Sequence, residues 1–293
     1  MRSKRLVLAG LGCALILLAL PLSAQVTDKS GNPSHPTAGI SVNPTFTPPS
    51  TAPGYEAVLL ASSLPGPRGL GVKPKGGEVY FVTENDRGLW QYKGGTLTFI
   101  MTTPVLMHGS RYKGGYLVGG LDGSIRKYVG GTTLKILSSY VSGDIYSLDV
   151  DAATGAVYFT SSANVYRLPK GRTTPEYLTS LPGDSWGIAV KGNYLYITQY
   201  DYGLIYRMRK TGGPLSTFAT GLNGPTDLVF DRHGNLYVAE FDGGSIAAIR
   251  AKTSTVERIG WGFAEPYYIG VDRQGNVFFS DFGTYYLWVL KKK

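Results

Sequence analysis

Gly224-Pro225-Thr226-Asp227-Leu228-Val229-Phe230-Asp231-Arg232-His233-Gly234-Asn235-Leu236-Tyr237-Val238-Ala239-Glu240 is answered further along the chain by Glu265-Pro266-Tyr267-Tyr268-Ile269-Gly270-Val271-Asp272-Arg273-Gln274-Gly275-Asn276-Val277-Phe278-Phe279-Ser280-Asp281. Both copies run as an apolar strand, an Asp-x-x-Gly turn and a second strand. Weaker copies precede them. One aromatic or leucine marks the second strand of each unit: Tyr80, Leu117, Tyr158, Tyr196, Tyr237 and Phe278, spaced 37, 41, 38, 41 and 41 residues apart. A period near 40 built from short strands and glycine turns is the signature of a β-propeller.

Working outward from the markers, each unit continues into a third strand, such as Leu89 to Tyr92 or Ile205 to Met208. Five units end in a fourth, at Leu97 to Met101, Leu134 to Leu137, Glu176 to Leu178, Leu215 to Phe218 and Val256 to Ile259. The sixth lacks a fourth strand because the sequence stops at Lys293. Tyr55 to Leu60 precedes the first unit and has no other partner. It is therefore expected to pair with Tyr286 to Leu290 and close the ring, covering two edges that would otherwise invite aggregation. The expectation is all-β: a six-bladed β-propeller, four strands per blade, closed by an N-terminal strand in the last blade. A β-sandwich would not repeat at a fixed period, and no stretch after residue 25 keeps helical apolar spacing for three turns.

Three segments follow: a leader at 1–24, a linker rich in Pro, Ser and Thr at 25–54, and the propeller at 55–293. The leader has a basic start (Arg2, Lys4, Arg5), an apolar run from Leu6 to Leu20 and small residues before Ala24. That is the pattern of an export signal, with cleavage expected after Ala24. The apolar run is short for a membrane span. Secreted, periplasmic or cell-envelope placement is the expectation, with no transmembrane segment in the mature form. Cys13 is the single cysteine and lies in the leader, so disulfides and thiolate chemistry are excluded from the ring.

The net charge is +9, but three of the basic residues belong to the leader and three more are Lys291-Lys292-Lys293. No larger Lys/Arg cluster lies in the ring, so nucleic acid is not the expected partner. A monomer binding a small molecule, a glycan or a protein is expected instead.

The phrase from Pro225 to Glu240 resembles an NHL repeat. It is similar as well to blades of the gluconolactonase (senescence-marker-like) and virginiamycin-lyase families. The lyase likeness leans on Phe81-Val82-Thr83-Glu84, although that family has seven blades. Likeness to the gluconolactonases implies a hydrolase of lactones with calcium in the central channel, an oxygen-ligated hard cation that polarises the carbonyl. It also implies ligands at three places. Here those places hold Pro67-Arg68 where a glutamate is implied, Trp186 where an asparagine is implied, and Thr226 where an aspartate is implied.

Propeller geometry brings the start of each innermost strand and the end of each second strand to one face. The candidate ligand-binding residues at that face are Arg68, Glu84, His108, Asp184, Trp186, Asp201 and Tyr267. A rearranged metal set would be Asp227, Glu240 and Asp281, with Arg68 as the alternative neutralising group. Asp151, Asp231 and Asp272 are assigned to capping their turns. No Gly-x-Ser-x-Gly elbow and no His-Glu-x-x-His helix occur in the sequence. Two function classes stay open: an exported non-catalytic module docking a glycan, peptide or protein, and a calcium-dependent lactonase with an altered ligand set.

Overall fold

The computed structural model describes residues 26–27, 48–104, 107–112, 115–138, 141–251 and 255–293, with 26–27 and 107–112 described by their backbone. The leader and most of the linker lie outside the described residues. Among the described residues, no helix is long and apolar enough to cross a membrane.

Six sheets each contain four antiparallel strands, consecutive in sequence in the first five and three plus an N-terminal strand in the sixth; Val26–Thr27 adds in parallel to the outer strand of the first. The inner strands are Pro67–Val72, Met107–Tyr112, Ile145–Val150, Ser185–Lys191, Pro225–Phe230 and Pro266–Val271, defining blades one to six. Each inner strand contacts the next, and the sixth contacts the first. This is a closed six-bladed ring.

Closure takes the expected form. Tyr55–Ala61 is the outer strand of blade six, with Leu59 opposite Trp288, Val58 opposite Val289 and Ala57 opposite Leu290. The linker boundary, in contrast, differs from the expectation. Ser50 and Thr51 pair with Trp261 and Gly260 on the outer edge of blade five, and Ala52 N–H donates to Ile259 O at 3.1 Å. The last residues of the expected linker therefore belong to the ring. Their Ser/Thr/Pro composition hid this, because an added edge strand is held by backbone bonds that leave little side-chain signal.

The marker residues fall where the repeat puts them. Tyr80, Leu117, Tyr158, Tyr196, Tyr237 and Phe278 lie within the second strands and face Gly71, Arg111, Asp149, Ala189, Val229 and Gly270 of the inner strands. The apolar core lies between blades. Leu70, Phe81 and Trp90 of blade one pack with Tyr268, Phe278 and Val289 of blade six in one buried cluster. Glycine sets how closely inner strands approach. A Cβ on Gly187 would sit 2.5 Å from Thr226 O and 2.8 Å from Asp227 Cα in the neighbouring blade. The Asp-x-x-Gly turns behave as assigned: Asp231 accepts from the backbone of His233 and Asn235, and Asp272 from that of Gln274 and Asn276.

Candidate functional site: the aromatic mouth of the ring

All six inner strands share an irregularity in register near their first residue, between Arg68 and Leu70 in blade one and between Pro266 and Ile269 in blade six, for example. A bulge re-aims side chains out of the ladder. The second residue of each inner strand is thereby placed at the channel mouth: Arg68, Tyr146, Trp186, Thr226 and Tyr267, with His108 in the same register. The side chain of His108 lies outside the described residues.

Just inside this ring, side chains of blades three, five and six meet across the channel. Tyr268 O–H donates to Tyr146 O at 2.9 Å, spanning from blade six to blade three. Asp227, 1% exposed, accepts from Ser147 Oγ at 3.1 Å and from Ile269 N–H at 3.2 Å. Tyr146, Trp186, Thr226, Asp227, Tyr267 and Tyr268 line a narrow cleft there.

The mouth is aromatic. Tyr146 stacks on Trp186 at 5.1 Å, and Trp186 meets Tyr200 and Tyr267, each at 5.7 Å. Phe241 joins Tyr200 at 6.3 Å and Tyr267 at 5.7 Å, while Phe282 lies 6.2 Å from Tyr267. Tyr146, Trp186, Tyr200, Phe241 and Phe282 are half-buried, while Tyr267 at their centre is 5% exposed. Arg68 completes the cluster. Its guanidinium lies 4.6 Å from the Tyr267 ring and 4.0 Å from that of Phe282, and it donates twice to Glu84 Oε2, at 2.9 and 2.7 Å. A planar cation between two ring faces and a carboxylate is well matched on every side.

Carboxylates stand around the rim. Burial raises the pKa of the Tyr146 phenol, and the nearby charges of Asp144 and Asp184 add to it. Burial likewise raises that of Tyr200, helped by the hydrogen bond its O–H donates to Asp242 at 2.6 Å and by Asp201 and Glu265. Asp184 and Asp201 are exposed. Both phenols are therefore neutral donors across the physiological range.

The structure gathers Arg68, Glu84, Trp186 and Tyr267 into one contact network and sets Asp184 and Asp201 on its rim. It separates the expected metal set. Glu240 is fully buried and accepts both Nε and Nη2 of Arg258, at 3.0 and 2.7 Å, together with Asn223 N–H and Ser245 Oγ. Asp281 accepts the N–H groups of Ala264 and Glu265 at 3.1 and 2.9 Å. Each carboxylate anchors its own blade's connection, while Asp227 ties inner strands together. Among the described residues no three His, Cys, Asp or Glu side chains form a group able to hold a metal. The chemistry of the mouth fits a divalent ion poorly as well, because Arg68 already supplies a cation beside Glu84.

Sequence reasoning missed Tyr146, Tyr200, Phe241 and Phe282. Each of the last two directly follows an acid of the expected metal set, in Glu240-Phe241 and Asp281-Phe282. In each case the acid is the last residue of its second strand and is held by the neighbouring connection, while the aromatic opens the turn that follows and joins the mouth. The signal was the recurrence of an aromatic after the second strand in blades four, five and six.

No protein-family model matches this chain, and no curated protein matches it. In structure the chain is similar to a gluconolactonase from Xanthomonas campestris, with 15% identity and a TM-score of 0.71 over 84% of this chain and 95% of that one. It is similar to a luciferin-regenerating enzyme, with 13% identity and a TM-score of 0.67 over 81% and 95% of the two chains. A virginiamycin B lyase from Staphylococcus aureus aligns with 14% identity and a TM-score of 0.60 over 82% and 99%. These likenesses show the fold, a β-propeller, whose six blades are the six sheets of the ring.

Proposed function

We propose that this chain is an exported, non-catalytic binding module whose aromatic mouth holds a glycan. The observation that carries the reading is the cluster of half-buried Tyr146, Trp186, Tyr200 and Phe241, packed on buried Tyr267 beside a rim of carboxylates. A sugar ring has apolar C–H faces and a hydroxyl edge. Ring faces below it and carboxylate acceptors beside it match both, as in sites where an apolar lining carries a few placed polar groups. A cationic ligand is less well served, because Arg68 fills the slot between Tyr267 and Phe282. Export rests on the leader pattern, and sequencing the N-terminus of protein recovered outside the cell tests it: Gln25 is expected first.

The binding reading is tested on a glycan array with the full chain and its Trp186→Ala variant. The wild type is expected to retain a defined set of glycans and the variant to lose them with an unchanged melting temperature. An array that stays blank while peptides or proteins are retained would contradict the glycan assignment.

A second reading, a lactonase with an altered ligand set, is favoured by the gluconolactonase among the structural neighbours. Turnover of a lactone panel that rises with added calcium would support it. No melting-temperature rise with calcium and no turnover would remove it.

A further inference from the structure

Charge is segregated between the two faces of the ring. The mouth-side connections are those from second to third strand and from one blade to the next. They carry Asp86, Asp144, Asp184, Asp201, Asp242 and Glu265 among their acids, with Arg87 the one basic residue among those described. The opposite face is built from the turns after the inner and third strands, and its pattern is reversed. There blades one, three, four, five and six present exposed Lys75, Arg172, Arg209, Arg232 and Arg273, and the chain ends on the same side with exposed Lys292.

The acids of that basic face are withdrawn from its surface. Asp151, Asp231 and Asp272 are buried at 4, 5 and 7% exposure, held by the backbone of their own turns. Glu78 is 5% exposed and accepts from Tyr80 and Gln91. The exposed acids there, Glu56, Glu176 and Glu257, each stand within ion-pair distance of a cation, namely Lys293, Arg167 and Arg250. What the face shows to a partner is therefore cationic, although the sequence runs no basic cluster longer than three.

We propose that this face seats the propeller on an anionic phospholipid surface, with the aromatic mouth directed away from it. The distribution selects the partner. Cations at the hairpin tips of five of the six blades surround the axis and meet a plane together, whereas a linear polyanion needs a track of charge along one groove. Juxtamembrane Lys and Arg gain additively from a surface of anionic headgroups, within a Debye length. The mouth's acids would be repelled by the same surface, which fixes the orientation.

Vesicle co-sedimentation of the full chain tests this. The probes are phosphatidylcholine vesicles with and without about 30 mol % phosphatidylglycerol, each in dilute buffer and in about 0.5 M salt. The full chain carries the apolar leader run, so the deciding comparison is Lys75→Glu/Arg172→Glu/Arg273→Glu, which keeps that run. The wild type is expected to sediment with the anionic vesicles alone and to be released by salt. The triple variant, checked for an unchanged melting temperature, is expected to bind about tenfold or more weakly. Trp186→Ala is expected to bind as the wild type does. Equal binding of the triple variant, binding that ignores lipid charge, or retention on polyphosphate but not on vesicles would each overturn the proposal.

Discussion

Glu240 and its neighbour Phe241 show how one residue step separates scaffold from site. The carboxylate is completely buried and bidentate to Arg258, while the ring beside it belongs to the mouth. Glu240→Gln replaces a charged acceptor with an amide that turns N–H groups towards a guanidinium. Breaking such a pair is expected to cost about 3 kcal/mol, read as a lower urea midpoint with unchanged glycan binding. Asp122 offers a second residue-scale test. Burial alone would raise its pKa, but hydrogen bonds from Arg126 and Ser124 and the arginine's charge outweigh this and hold it at about 2. A carboxyl depressed in the folded state contributes stability above its unfolded pKa, near 4. That contribution is lost as pH falls from about 4 to about 2. Screening at this partly exposed site limits it to about 1 kcal/mol. Asp122→Asn is expected to flatten the acid limb of the stability–pH curve by that amount.

At the scale of elements, the closing strand decides whether the ring exists. Tyr55–Ala61 pairs with residues from Leu287 to Lys292, and without it blade six ends in an apolar edge carrying Trp288, Val289 and Leu290. The chain lacking residues 1–47 is expected to melt within a few degrees of the intact one. Removal of 1–61 is expected to give aggregates in size-exclusion chromatography. Equal behaviour of the two would show that the strand is dispensable. This element was legible because its absence from the sixth repeat left a gap that a single unassigned apolar segment filled. Ser50–Thr51 was not legible, since two polar residues on an edge leave no period to read. The acids Asp231 and Asp272 were legible as turn caps from their Asp-x-x-Gly setting, but nothing comparable told Glu240 and Asp281 apart from site residues. Their partners, Arg258 and the backbone of Ala264 and Glu265, are set by tertiary folding.

At the scale of the whole molecule, a repeat gives six near-equivalent positions at the mouth, and departures from equivalence build the site. Arg68, Tyr146, Trp186, Thr226 and Tyr267 share one place in the repeat yet differ in chemistry. The aromatic residues among them merge with those that follow the second strands of blades four, five and six into one surface. The measurement closest to the central claim is the affinity of an array-selected glycan for wild type and Trp186→Ala, each in calcium and in EDTA. Stacking on the aromatic cluster predicts one affinity for the wild type in both buffers and a loss of about tenfold or more in the variant. Binding that requires calcium, or that survives the loss of Trp186, would contradict it.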